Sequence, residues 1–182
     1  MYGIDLLVKE HENIIHFTEY IRKLCCEILD GQAVNTKAFR ECVEFGRNYA
    51  DKHHHGKEEK ILFKYMVESL GPIAEKLIRN GMLVEHDLGR YHMGELEKAI
   101  EQYDAEPTTE HKLAVITNAS GYADLLKSHI EKEDAVCYAF AIRMLSDANK
   151  QLIDQETRLF EQEEEEKEIQ DRYILWLKQQ KC

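Results

Sequence analysis

The sequence predicts an all-α protein, an up-down antiparallel four-helix bundle with an additional C-terminal helix. Only two prolines and nine glycines occur in 182 residues, which favours long helices. Apolar residues recur at spacings of three and four over several long stretches, the pattern of amphipathic helices. Four of these stretches carry a histidine on the apolar stripe. A chain of this length can bury a sizeable core as one domain.

The first two predicted helices occupy the N-terminal third of the chain. Apolar residues from Leu7 to Ile28 place a helix at roughly residues 4–30, with His11 on its buried stripe. Thr36 is suited to cap a second helix, because its hydroxyl can accept a hydrogen bond from a free backbone N–H. This helix must stop at Gly71-Pro72, since proline lacks the N–H that a helix interior needs.

Two further predicted helices complete the bundle. Pro72 can open a short helical piece over 73–79, before Asn80-Gly81 offers a break. The stripe from Met82 to Ile100 then indicates a third long helix with His86 near its middle. A boundary at 105–108 precedes the fourth, which extends to Met144. We therefore assign residues 1–146 to the four-helix bundle.

Residues 147–182 form a predicted acidic C-terminal helical extension. The run Glu163 to Glu166 is expected to be solvated. Tyr173, Trp176 and Leu177 form an apolar patch that either covers the bundle's own open face or makes a homodimer through the C-terminal helix. We favour the first of these arrangements.

Composition excludes several classes of partner. The net charge of −11 and the absence of a basic stripe argue against nucleic acid. Met1 to Leu7 contains no basic segment followed by an apolar one, and no run approaches the roughly 18 apolar residues that span a bilayer. The cysteines are odd in number and form no C-x-x-C pair, which is typical of a reducing compartment. We expect a soluble cytoplasmic protein with no membrane partner.

Histidines and carboxylates on the predicted helices indicate a metal centre. A histidine followed by a carboxylate four residues later occurs twice, and this spacing places both side chains on one helical face. The candidate ligands are His11, His55, Glu59, His86, His129 and Glu133. Four imidazoles and two carboxylates suit iron, manganese or zinc better than calcium or magnesium. We predict two iron ions bridged by the carboxylates, with zinc or manganese as alternatives.

Two choices among these ligands stay open. Histidines 53–55 are consecutive, so helical geometry sends them in directions about 100° apart. His55 with Glu59 is preferred because Leu62 and Phe63 extend that face. The alternatives are His54 with Glu58 in the second helix, and Asp134 in place of Glu133 in the last. We expect surface positions for His16, His92 and His111.

The order of these residues resembles that of hemerythrin-like (HHE cation-binding) proteins. A lone histidine, H-x-x-x-E, a second lone histidine and a second H-x-x-x-E follow one another between His11 and Glu133. The resemblance covers about residues 1–146. It implies an up-down bundle with a non-haem di-iron centre bridged by two carboxylates. It also implies a small ligand, namely oxygen, nitric oxide or peroxide.

One position departs from the pattern of the oxygen-carrying hemerythrins. Their third helix offers a second histidine one turn after the first, and here that position is Arg90. We therefore expect fewer imidazoles and a more open centre than in an oxygen carrier. This difference favours binding or sensing of a small ligand. Turnover of peroxide or nitric oxide, or iron handling, is the alternative.

Overall fold

The computed structural model describes residues 1–180, and within them the chain is helical with no β-strand. The α-helices are α1 (Tyr2–Leu29), α2 (Thr36–Phe45), α3 (Phe63–Leu77), α4 (Leu83–Ala105), α5 (Thr109–Lys132), α6 (Ala139–Met144), α7 (Asp147–Phe160) and α8 (Glu164–Gln179). The predicted all-α class is thereby confirmed. Residues 181 and 182, the last two of the predicted extension, lie outside the described residues. No described helix is both long and apolar enough to cross a membrane.

Wider π-helical segments join several of these α-helices into longer rods. The segments Gly46–His55 and Glu58–Leu62 connect α2 to α3, and their flanking residues keep helical backbone angles. Ile78–Met82 connects α3 to α4, and Glu133–Tyr138 connects α5 to α6. Such segments are rare and often lie at functional sites.

We call the continuous stretch from α2 through these π-helical segments into α3 the second rod. It breaks at Gly71, where the sequence predicted its end. Gly71 has φ 72° and ψ −160°, a conformation that residues with a Cβ rarely adopt. Pro72 follows and opens the next helical turn, as expected. The predicted break at Asn80-Gly81 is wrong, because the chain remains helical through Ile78–Met82 into α4.

Two apolar clusters divide the core, and a belt of buried polar residues separates them along every rod. On α1, Leu7 belongs to one cluster and Ile14 to the other, with His11 between them. Met82, the residue before α4, belongs to the same cluster as Leu7. Met93, within α4, belongs to the same cluster as Ile14. The bundle therefore places its polar belt at one level, with apolar packing above and below.

The C-terminal segment packs back onto the bundle. It is divided into α7 and α8 by a turn at 161–163. Tyr173 and Leu177 are buried in the core cluster that contains Ile14, and the Trp176 ring lies 5.7 Å from that of Tyr20. The predicted apolar patch thus covers the chain's own bundle. The acidic run is not wholly solvated, because Glu166 is 5% exposed.

Candidate metal centre

Five buried histidines meet in the polar belt. They come from α1, from the π-helical segment after α2, from α4 and from α5: His11, His54, His55, His86 and His129. The Nε2 atoms of His11 and His54 lie 3.1 Å apart. The Nε2 atoms of His86 and His129 are also 3.1 Å apart. The imidazoles therefore point their Nε2 atoms into a common space.

The carboxylate of Glu133 faces both groups of imidazoles. Its Oε1 atom lies 3.2 Å from His129 Nε2, and its Oε2 atom lies 3.3 Å from His11 Nε2. The Glu133 side chain is fully buried at the start of the π-helical segment that follows α5. One carboxylate thus contacts imidazoles on two different sides.

Glu58, which belongs to the second rod, also faces imidazoles of both groups. Its Oε2 atom is 3.5 Å from His86 Nε2 and 3.7 Å from His54 Nε2. The other oxygen, Oε1, accepts a 2.5 Å hydrogen bond from the hydroxyl of Tyr138. The Tyr138 ring also stacks on His11, so this tyrosine fixes Glu58 and an imidazole together.

Each of the five imidazoles donates its Nδ1–H to a carboxylate on the outside of the belt. The pairs are His11 with Asp134 at 2.9 Å, His54 with Glu10 at 2.9 Å, His55 with Asp51 at 3.3 Å, His86 with Glu59 at 2.7 Å and His129 with Glu85 at 2.8 Å. A proton on Nδ1 leaves a lone pair on Nε2. This arrangement of imidazole and outer carboxylate is typical of metal-binding histidines.

These donors fit a pair of metal ions. Oε2 of Glu58 and both oxygens of Glu133 are buried, and none of the three has a hydrogen-bond partner among residues 1–180. Unpaired buried carboxylate oxygens are costly unless a cation or a proton compensates them. Two sets of ligand atoms, each within 4.8 Å of one another, share Glu58: one is His11, His54, Glu58 and Glu133, and the other is His55, Glu58, His86 and His129.

The two inner carboxyl groups have opposite pKa shifts. Burial, together with the neighbouring Glu133, raises the pKa of Glu58 well above its usual value. Burial also raises the pKa of Glu133, but the surrounding imidazoles outweigh it and hold that pKa well below its usual value. Like charges this close oppose ionisation of both groups. A cation bound between the two carboxylates would reduce their mutual repulsion.

The structure brings together most of the candidate ligands but places Glu59 elsewhere. Glu59 has a side chain 30% exposed and accepts hydrogen bonds from His86 Nδ1 and Arg90, each at 2.7 Å. Glu58 lies between the imidazoles instead. His54 and His55 both point inward, so the histidines of both alternative pairs face the centre, whereas of the two glutamates only Glu58 does. The wider π-helical turn explains why consecutive residues share one side.

Asp134, the other open alternative, also lies on the outside of the belt. Its side chain is 40% exposed and accepts from His11 Nδ1. Tyr138 and the outer carboxylate Glu85 are further residues that the sequence did not single out. Tyr138 lies one helical turn after Asp134, and this spacing was the only feature of the local sequence that pointed to a role for Tyr138 at the centre. The histidines that we expected at the surface, His16, His92 and His111, are instead half-buried and lie outside the belt.

A third group of candidate ligands already contains a cation. Glu10, His53 and Glu161 lie close enough to share an ion. The ammonium group of the buried Lys57 sits among them, 2.9 Å from His53 Nε2 and 2.6 Å from Glu161, and it also pairs with Glu10. We therefore count this group as an internal ion pair that supports Glu10.

The family model for the hemerythrin HHE cation-binding domain matches residues 2–141. The chain belongs to the hemerythrin HHE cation-binding family. All five inward histidines and both inner glutamates lie within the matched part. A search of curated proteins gives no match. Membership of this family and the buried histidine and glutamate clusters identify a metal-binding protein.

Arg90 occupies the position at which the oxygen-carrying hemerythrins have a second histidine, and here the second rod supplies an additional imidazole nearby. Arg90 is 39% exposed and forms ion pairs with Asp51 and Glu59 at 2.7 Å. His55 from the second rod stacks on His86 with ring centroids 3.8 Å apart. The two clusters therefore contain five imidazoles, one more than the four proposed from the sequence, because His55 faces inward beside His54.

Proposed function

We propose that this chain holds two non-haem iron ions and binds or senses a small molecule, namely oxygen, nitric oxide or peroxide. His11 and His54 would hold one ion, and His55, His86 and His129 the other. Glu58 and Glu133 would serve both. The observation that carries the proposal is the common orientation of the five imidazoles, with Nε2 inward and Nδ1 bonded to a carboxylate.

The donor set supports iron and an asymmetric pair. Imidazole and carboxylate donors suit iron, while zinc and manganese accept the same ligands. One set has three imidazoles and Glu58, and the other has two imidazoles with Glu58 and Glu133, so each side offers four ligand residues. When bound, iron supplies redox and Lewis-acid chemistry that the side chains lack. Because an octahedral ion takes six ligands, each side would keep at least one position free for an external ligand.

The chain's own residues orient the site and shield it from solvent above and below the belt. The outer carboxylates fix the imidazole rings, and Tyr138 fixes Glu58 by its hydrogen bond. Burial and the nearby carboxylates raise the pKa of Tyr138, so its hydroxyl stays protonated and remains a donor. Apolar clusters on both sides of the belt exclude solvent. Such preorganisation reduces the rearrangement that ligand binding requires.

The proposal is tested on protein purified without oxygen, with its metal content measured and then loaded with ferrous iron. Optical spectra are recorded before and after addition of oxygen, nitric oxide or hydrogen peroxide. We expect about two irons per chain and an absorption change with at least one of these molecules. Iron-loaded protein whose spectrum responds to none of the three would contradict the proposal.

A further inference from the structure

One of the five outer carboxylates is buried, unlike the others. Glu10, which accepts the hydrogen bond from His54 Nδ1, has a side chain 2% exposed. The side chains of the other four are between 21% and 40% exposed, namely those of Asp51, Glu59, Glu85 and Asp134. A buried carboxylate needs a compensating charge inside the protein, because water does not reach it. Glu10 therefore depends on the protein around it.

The compensating cation is Lys57, which is 1% exposed. An ammonium group has three N–H donors and no acceptor. Those of Lys57 reach Glu10 Oε1, Glu161 Oε1 at 2.6 Å and His53 Nε2 at 2.9 Å. Of these partners, Glu161 belongs to the C-terminal segment, where it follows α7. Lys57 thus connects the carboxylate behind His54 to the C-terminal segment.

The same ammonium group determines which nitrogen of His53 carries the proton. Because Lys57 only donates, His53 Nε2 accepts and the ring proton lies on Nδ1. His53 Nδ1 donates that proton to Glu166 Oε2 at 2.8 Å, and Glu166 lies in the first turn of α8. Two carboxylates of the C-terminal segment therefore hold Lys57, one directly and one through His53.

These C-terminal carboxylates lie outside the part of the chain that the family model matches, which ends at residue 141. Further contacts hold the turn that contains them against the second rod. The Phe160 ring lies 5.9 Å from that of His53, and Lys52 pairs with Glu165 at the surface. The connection between Lys57 and the C-terminal segment is therefore additional to the matched domain.

We infer that Glu161 and Lys57 are positioning residues for His54. Lys57 occupies one oxygen of Glu10, which leaves the other oxygen to orient the His54 ring. Docking of residues 161–166 and metal binding on the His54 side of the centre therefore favour each other. The inference rests on metal binding by the inward imidazoles, as proposed above. Because such coupling is reciprocal, the bound metal holds residues 161–166 in place by the same factor.

Zinc binding to the full chain, measured in competition with a chromogenic chelator, tests the coupling on each side of the centre. Zinc takes imidazole and carboxylate ligands and has no redox chemistry of its own. The His55→Ala chain is expected to keep the ion held by His11 and His54, and the His54→Ala chain the other ion. Adding Glu161→Ala should weaken zinc binding about tenfold in the first chain and by less than about twofold in the second.

Two further variants separate positioning from general stability. Glu165→Ala removes a carboxylate that is 70% exposed and pairs with Lys52, so it should leave the affinity for both zinc ions unchanged. Glu161→Gln keeps an acceptor oxygen for Lys57 and should recover most of the affinity that Glu161→Ala loses. A purely structural role for Glu161 would lower the stability of the metal-free chain to urea without distinguishing the two zinc ions.

Hydrogen exchange on the unaltered chain tests the reverse direction and does not depend on any variant folding. The backbone amides of Glu161, Glu163 and Lys167 donate to backbone carbonyls in and beside the turn. Zinc should slow their exchange about tenfold, the factor expected for the affinity. In Glu161→Ala the zinc-dependent slowing should disappear at these amides and persist in α5.

Three results would overturn the inference: wild-type affinity for both zinc ions in Glu161→Ala, an equal loss in Glu165→Ala, or exchange at 161–167 that zinc does not change. A chain that binds no zinc would also overturn it. The iron spectra test the proposed function separately. Coupling without any spectral response would refute that function alone, whereas a spectral response without an effect of Glu161→Ala would refute the coupling alone.

Discussion

The imidazole of His55 stacks on that of His86, with ring centroids 3.8 Å apart and planes 7° from parallel. The contact brings a side chain of the second rod next to the third long helix, close to Arg90. It gives the side of the centre that contains His86 three imidazoles, whereas the other side has two. The consecutive histidines 53–55 therefore have three different surroundings, and each can be tested separately.

Replacing these histidines one at a time should separate their roles. His54→Ala and His55→Ala should each reduce metal content from about two ions to about one per chain, because each removes a donor from a different side of the centre. His53→Ala should keep the metal content, since His53 bonds Lys57 and Glu166 instead. It should lower stability by about 1–3 kcal/mol through the unpaired groups it leaves. Elemental analysis and urea unfolding measure both effects.

Adjacent glutamates offer a second matched comparison. Glu58→Gln should weaken metal binding by more than about 100-fold, because this carboxylate faces both groups of imidazoles. Glu59→Gln should weaken it by about tenfold, since the side chain only orients His86 from outside. Competition with a chelator of known affinity measures both. Equal losses for the two variants would show that the inner and outer roles are assigned incorrectly.

Metal removal should destabilise the chain. Binding to the folded state alone stabilises it by about 2.7 kcal/mol when free metal is 100 times the dissociation constant. For a chain of this size that corresponds to about 2–4 °C of Tm per kcal/mol. Thermal unfolding with and without added metal should therefore differ by several degrees. The Glu58→Gln chain is the control, and an equal rise in its Tm would indicate nonspecific binding.

The packing of α8 predicts a stability difference between neighbouring residues. Trp176 contacts the rings of Phe17, Tyr20 and Phe45, whereas Leu175 is 60% exposed. Trp176→Ala should cost about 2–4 kcal/mol, near the range for large buried aromatic side chains. Leu175→Ala should change stability by less than about 0.5 kcal/mol. Urea unfolding followed by circular dichroism checks both, and similar values would mean that α8 is not docked in solution.

Much of the architecture can be read from apolar spacing. The stripes that contain His11, His86 and His129 predicted the bundle. Gly71-Pro72 marked the end of the second rod because glycine permits a non-helical conformation and proline lacks the backbone N–H. The choice of Glu59 differs from the arrangement in the structure because it assumes 3.6 residues per turn. The chain at 58–62 is π-helical, so the face that points inward shifts by one residue.

The outer carboxylates could not be found from local spacing. Glu10 reaches His54, and Glu85 reaches His129, across residue separations of more than forty. Such pairs depend on the relative rotation and depth of packed helices, which no single periodic stretch determines. The burial of Lys57 could not be predicted from local spacing either, because the carboxylates that pair with it, Glu10 and Glu161, come from distant parts of the sequence.

Anomalous X-ray scattering at the iron edge, from crystals of the iron-loaded chain, tests the central claim most directly. We predict two peaks per chain, placed between the carboxylates of Glu58 and Glu133 and bordered by the Nε2 atoms of the five inward histidines. A single peak, or peaks held by Glu59 or by the group around Lys57, would contradict the account.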